Sequence, residues 1–280
     1  MSYTLAYSPC PNDTYIFGAL TNGLIADAPP VDAHLADIDE LNAAASRSQF
    51  ELTKVSYGAA PFLMDRYRIL PSGGALGRSC GPLLVARPAA APSLFSEFAR
   101  KRIAIPGERT TAFLLLQLAL GTRPKIVTMR FDRIISAVAN GEVDAGLIIH
   151  ESRFTYRDAG LISIADLGEW WENMTLLPIP LGAMLVRNDV GPGETAAIET
   201  AIRRSLDFAR SHEAEVMPYV REHAVEMNDE VMRAHIDLYV NEFTVDLGEP
   251  GREAVRALFS RAHAAGILHR EVEPRFASAS

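Results

Sequence analysis

Two short apolar segments, "GPLLVARP" at 81–88 and "LGAMLVRND" at 181–189, constrain this chain more than any other feature. Each starts after a glycine, runs through aliphatic residues and ends in arginine. The stretch between them, 88–181, is the size of a small α/β lobe and has its own alternation of strand-like and helix-like segments. Two similar strands that leave one body and return to it describe a two-lobed, hinged protein. The predicted lobes are 1–86 plus 188–280, and 87–187. The alternative is a single continuous sheet.

The rest of the chain agrees with an α/β class, because short apolar runs alternate with amphipathic stretches. Strands are predicted near 3–7, 31–36, 51–55, 67–71, 82–87, 102–106, 125–129, 143–149 and 182–187. Helices are predicted at 13–22, 39–47, 57–64, 111–120 and 131–140. Beyond residue 193 the segments 194–211, 213–224, 228–241 and 251–265 all read as helices, which makes the C-terminal third a helical annex.

Composition removes several classes of function. The formal net charge is -8 and no dense basic run exists beyond "ARKRIAIP" at 99–106, so nothing supplies a phosphate-neutralising face for nucleic acid. No apolar stretch reaches the ~18 residues of a membrane span, and the opening "MSYTLAYSPCPND" lacks the charged and apolar regions of a signal peptide. The two cysteines, Cys10 and Cys80, fit a reduced, cytoplasmic protein better than a disulfide scaffold. Neither has a histidine pair at ligand spacing nearby, so no metal site is expected. A P-loop and a G-x-G-x-x-G helix opening are both missing, which argues against nucleotide cofactors. The oligomeric state is open, a homodimer being one choice.

Ligands of open α/β sheets bind beyond the carboxyl ends of strands and in clefts between lobes. Those ends carry the candidates. Ser8, Asn12 and Asp13 follow the first strand in "SPCPNDT", and Ser56 and Tyr57 follow the third. Ser79 lies in the glycine-rich "SGGALGRSCG". Thr110 and Thr111 open the helix after "RIAIPGER", where unpaired N–H groups and the helix dipole favour an anion. A bare N-cap explains the same threonines. His150 ends the apolar "AGLII", and an imidazole there is the default general base or acid. A strand-end histidine satisfied by backbone is the plainer reading. Glu151 follows, but neighbouring strand residues point to opposite faces, so it is not expected to orient His150. Arg153 completes the candidate set.

Other notable residues have simpler roles. His212, His223, His235, His263 and His269 fall in the helical annex, where surface or packing roles are expected, and His34 is inside a strand. Cys10 sits where a helix N-terminus would lower a thiol pKa, yet no histidine partner is visible and loop filling suits it better. Trp170 and Trp171 are expected to pack across the second lobe.

Five blocks together resemble the 1,4-dihydroxy-6-naphthoate synthases of the futalosine route to menaquinone: "SPCPNDTYIFGAL" (8–20), "KVSYGAAPFL" (54–63), "GERTTAFLLLQL" (107–118), "VDAGLIIHESRFTY" (143–156) and "FTVDLGEPGREAV" (243–255). Tyr15 and Ser152 depart from the family pattern, which has Phe and Gly there. The resemblance implies a type II periplasmic-binding-protein-like fold and a carbon–carbon lyase without metal or organic cofactor. Its substrate would be cyclic dehypoxanthinyl futalosine, an aromatic carboxylate, with His150 as the base. Two other readings share the fold: a non-catalytic binder of small carboxylates, and chorismate dehydratase.

Overall fold

The computed structural model describes residues 2–225 and 228–277. Its strands are β1 (Tyr3–Tyr7), β2 (Val31–Leu35), β3 (Leu52–Ser56), β4 (Tyr67–Ile69), β5 (Ala75–Gly77), β6 (Leu83–Ala86), β7 (Arg102–Ile105), β8 (Lys125–Thr128), β9 (Ala145–Ile148), β10 (Ile162–Asp166) and β11 (Ile179–Arg187). The helices are α1 (Pro11–Thr21), α2 (Ile38–Ser46), α3 (Thr111–Leu120), α4 (Phe131–Ala139), α5 (Ser152–Thr155) and α6 (Leu167–Thr175), followed by α7 (Pro192–Ser211), α8 (Glu213–His223), α9 (Asp229–Tyr239), α10 (Glu242–Val245) and α11 (Gly248–Ala264).

Two sheets result. The first has the order β2-β1-β3-β11-β4, with β5 also pairing with β11. β1 runs parallel to β2 and β3, and β11 is antiparallel to its partners. The second has the order β10-β6-β9-β7-β8. The two apolar segments that framed the sequence reading sit in different sheets: β6 belongs to the second and β11 to the first. The chain therefore changes sheet before Leu83 and again before Ile179, whereas the predicted divisions follow residues 86 and 187. A strand's sheet is set by which backbone it hydrogen-bonds, and β6 finds β9 and β10 while β11 finds β3.

Side-chain burial explains the layers. β3 is buried along its whole length, as a central strand covered on both faces must be, whereas edge strand β2 is mostly exposed. One apolar cluster packs Tyr7, Phe17 and Ile16 against Ile202, Val216 and Val220 of α7 and α8, so the helical annex is a wall of the first lobe. A second gathers Val85, Ile134 and Val138 within the other lobe. The largest cluster joins Val55 and Leu185 of the first sheet to Leu84 and Ile105 of the second, with Phe113 and Trp171 among them. The hinge side is thus a continuous apolar core.

Differences from the predicted elements have local causes. The helix expected at 57–64 is only a 3₁₀ turn, Ala60–Phe62; Pro61 lacks the N–H that a continuing helix needs. α1 starts at Pro11, earlier than the predicted residue 13, with Cys10 as N-cap, and proline is well suited to a first helical position. β5 lies inside the glycine-rich stretch 72–81, where no strand is predicted, and β10 and α6 likewise fall outside the predicted elements. β5 exists because the nine-residue β11 offers it an edge, and β10 pairs along the free edge of β6.

Candidate active site in the interlobe cleft

The carboxyl ends of β1, β3, β7 and β9 converge on one cleft with about 660 Å³ of space free of protein atoms, mouth included. Ser8, Asn12, Asp13, Lys54 and Ser56 line it from the first lobe. Thr110, Thr111, Ala112 and His150 face them from the second, and His235 and Tyr239 of α9 complete the wall. The predicted residues Ser8, Asn12, Asp13, Ser56, Thr110, Thr111 and His150 are therefore brought together.

Three predicted residues lie elsewhere. Tyr57 is fully buried in the apolar cluster at the hinge side. Ser79 is exposed, with a left-handed backbone (φ 55°), and its N–H donates to Glu172 Oε1 at 2.7 Å. Arg153 is spent on a clamp: it donates to Gly81 O at 2.5 Å and Ser79 O at 3.0 Å, and pairs with Asp166 at 2.6 Å. These bonds tie the glycine-rich loop to the second lobe, so in this structure Arg153 holds the loop and does not line the cleft.

The floor of the cleft is one polar network. Lys54 Nζ sits 2.6 Å from Asp13 Oδ1, both side chains being 3% exposed, and also donates to Gly73 O at 2.8 Å. Asp13 further accepts from Ser8 Oγ at 2.8 Å and Asn12 Nδ2 at 2.8 Å. A buried charge pair survives only with such extra hydrogen bonds. Asn12 Oδ1 lies 2.9 Å from His235 Nε2; with the Asn12 amide nitrogen committed to Asp13, this oxygen accepts and His235 carries its proton on Nε2. His235 is 1% exposed and its burial holds the ring neutral, well below the ordinary histidine pKa. Reading His235 as a surface or packing residue missed it, and Lys54, covered by the strand predicted at 51–55, was not among the candidates. No local pattern marks either, since each reaches the cleft through sheet pairing or helix docking.

His150 follows β9 with φ 56°, a left-handed conformation uncommon outside glycine. That twist sets its ring 5.1 Å from Phe131, edge-on, and 6.2 Å from His235, stacked. Its Nδ1 is 3.4 Å from Cys10 Sγ. The histidine partner that sequence spacing could not show for Cys10 thus comes from the other lobe. Burial lowers the His150 pKa to about 4; Asp13 raises it and Lys54 lowers it to lesser extents. Burial also pushes the Cys10 thiol well above its usual range, with the Glu151 charge adding to this. The pair at neutral pH is a thiol and a neutral imidazole, not a thiolate–imidazolium couple. Cys10 is no activated nucleophile here.

The second functional element is the N-terminus of α3. Thr110 caps it, accepting from Phe113 N at 3.3 Å and donating to Gly107 O at 2.7 Å. The Thr111 hydroxyl accepts from Gly58 N at 3.0 Å and donates to Leu181 O at 2.6 Å, joining the lobes. Both hydroxyls are engaged. The backbone N–H groups of Thr111 and Ala112 have no partner among the described residues, which leaves them for an anion at the positive end of the helix dipole.

Two α/β lobes with a cleft at their strand ends define a protein of the type II periplasmic-binding-protein kind. The alkanesulfonate-binding protein SsuA of Xanthomonas axonopodis pv. citri, solved with MOPS bound, superposes with a TM-score of 0.75 over 98% of this chain and 96% of its own, at 13% identity. That likeness shows the fold. The particular family is given by sequence: residues 3–264 match the menaquinone biosynthesis family, and the chain belongs to it. The 1,4-dihydroxy-6-naphthoate synthase of Thermus thermophilus is 49% identical over 273 residues, covering 97% of this chain and 98% of its own length. The enzyme of the same name from Streptomyces coelicolor is 47% identical over 269 residues, covering 94% of each.

Proposed function

We propose that the chain is a carbon–carbon lyase that converts cyclic dehypoxanthinyl futalosine to 1,4-dihydroxy-6-naphthoate, with His150 as general base. The observation that carries this reading is the neutral imidazole of His150 in the same cleft as the free N–H groups of α3. A base must be unprotonated at working pH, and a pKa of about 4 keeps His150 so. Its Nε2 has no hydrogen-bond partner among the described residues, while Nδ1 faces Cys10. With the proton on Nδ1 directed at sulfur, the Nε2 lone pair is the one available to substrate.

The reaction needs few parts. Nε2 takes the proton of a sugar-derived hydroxyl, and the O–H electrons become a carbonyl π bond. The adjacent carbon–carbon bond breaks, and its electron pair passes into the ring that becomes aromatic. The ring carboxylate rests on the N–H groups of Thr111 and Ala112. The Lys54 ammonium lines the cleft and offers positive charge to developing oxygen charge, while Ser8 and Asn12, which donate to Asp13, hold its carboxylate against Lys54. Closure of the lobes excludes water from the carbanion-like intermediate.

The test is incubation with the cyclic futalosine derivative and detection of dihydroxynaphthoate. Wild type is expected to form it, with His150→Ala slower by ~10²–10⁴-fold. An undiminished rate in His150→Ala refutes the base assignment. Wild type that forms no product but binds an aromatic carboxylate identifies a binding protein instead.

A further inference from the structure

Cys10, His150 and Glu151 form a cluster that the proposed lyase chemistry does not use as a group. One ligand atom from each lies within 4.8 Å of the others. Sequence spacing argued against this meeting twice: Cys10 and His150 are far apart, and adjacent strand residues diverge. Both objections fail for the same structural reason. β9 ends at Ile148, and the left-handed backbone of His150 turns its ring and the Glu151 carboxylate toward one point. Cys10, the N-cap of α1, arrives there from the first lobe.

We propose that these three side chains bind a thiophilic divalent cation, Zn²⁺ being the type case, and that this ion reversibly inhibits the protein. A tetrahedral Zn²⁺ with Zn–S near 2.3 Å and Zn–N near 2.0 Å separates the two ligand atoms by about 3.5 Å; Cys10 Sγ and His150 Nδ1 stand 3.4 Å apart. The donor set of thiolate, imidazole and carboxylate is the kind Zn²⁺ takes, and three protein ligands leave one position open. His150 is partly exposed and lines the cleft, which gives the ion its way in. On binding, the Cys10 S–H bond breaks, its proton goes to solvent, and sulfur bonds to the ion.

Inhibition follows whichever ring nitrogen acts as base. An ion on Nδ1 of a neutral imidazole leaves the ring proton on Nε2, so neither nitrogen can accept another. The ligands also come from both lobes, so the ion cross-links the cleft walls. Binding is independent of the lyase reading, and only the inhibition rests on it.

The experiment titrates the full-length, metal-free protein with Co²⁺ and follows the thiolate-to-cobalt absorption band, with Zn²⁺ displacing it and calorimetry giving affinity. One ion per chain is expected, with the band retained in Cys80→Ser. Since the chain has two cysteines, that variant assigns the thiolate even if Cys10→Ala does not fold. Cys10→Ala loses the band, and Glu151→Gln weakens binding by about 100-fold, at least the loss expected for a supporting residue of a metal site. A wild type without the band, a band that survives Cys10→Ala or disappears in Cys80→Ser, or Glu151→Gln that binds as tightly as wild type overturns the site. Zn²⁺ that binds without slowing an active enzyme overturns the inhibition. A chain that binds Zn²⁺ but makes no dihydroxynaphthoate refutes the lyase reading alone.

Discussion

The neutral state of His150 has a cost in stability that shows as pH falls. Its pKa in the fold is about 4, against an ordinary 6.5, and burial is the main cause. A histidine whose folded pKa is depressed contributes stability above its unfolded pKa and loses it as pH falls toward the folded value, because the unfolded chain binds the proton first. At 1.36 kcal/mol per pH unit, the whole difference is ~3.4 kcal/mol. Between pH 7 and pH 5 the linkage relation gives ~1.8 kcal/mol, and solvent at the partly exposed ring reduces this to about 1–1.5 kcal/mol. The perturbation is His150→Gln, which keeps a polar amide but cannot titrate. Urea unfolding of both proteins at pH 7 and pH 5 should show wild type losing about 1–1.5 kcal/mol more than the variant over that step. His235, held neutral chiefly by its own burial, which is present in both proteins, differs between them only through the smaller effect of the His150 charge. Equal losses in the two proteins would refute the argument that the cleft holds His150 unprotonated. In the lyase assay, the acid limb of kcat/KM should accordingly fall near pH 4, not 6.5.

The remaining expectations concern the cleft walls. Lys54→Met leaves Asp13 buried without its cation and should cost about 3–5 kcal/mol, read as a lowered denaturation midpoint. Gly58→Ala places a Cβ 2.7 Å from Thr110 O; backbone must move, so KM should rise severalfold as α3 is pushed from the first lobe, and an unchanged KM would discount that contact. Arg153→Ala frees the 79–81 loop from Asp166 and should lower thermal stability while leaving ligand affinity within a few fold, since the guanidinium does not line the cleft. Thr111→Val removes the hydroxyl link to Gly58 and Leu181 and should speed hydrogen exchange at Gly58 N–H.

Much of the site was legible because strand ends announce themselves. Ser8, Asn12, Asp13, Ser56, Thr110, Thr111 and His150 each lie at the end of an apolar run or in the turn and helix start that follow it, and the parallel strands gather such ends on one edge. Tyr57, Ser79 and Arg153 satisfied the same filter and were misplaced, because the filter locates backbone and not side chains. Tyr57 turns into the core beside a strand end, and Arg153 finds Asp166 and two carbonyls before it can reach the cleft. His235 had no local signal, and Lys54 opens a block of the resemblance without being marked as a site residue. α9 comes from the distant annex, and Lys54 lies within a strand whose alternation reads as structural.

The sequence alone determined the α/β class, the two lobes around a cleft, the helical C-terminal third and the family. Each rests on the order of local patterns, which needs only neighbours along the chain. The tertiary structure alone decided which sheet received β6 and β11, that His235 and Lys54 face the cleft, and that Cys10 meets His150 and Glu151. Those are matters of pairing, docking and one left-handed residue, where segments remote in sequence settle together to bury apolar surface and satisfy buried polar groups.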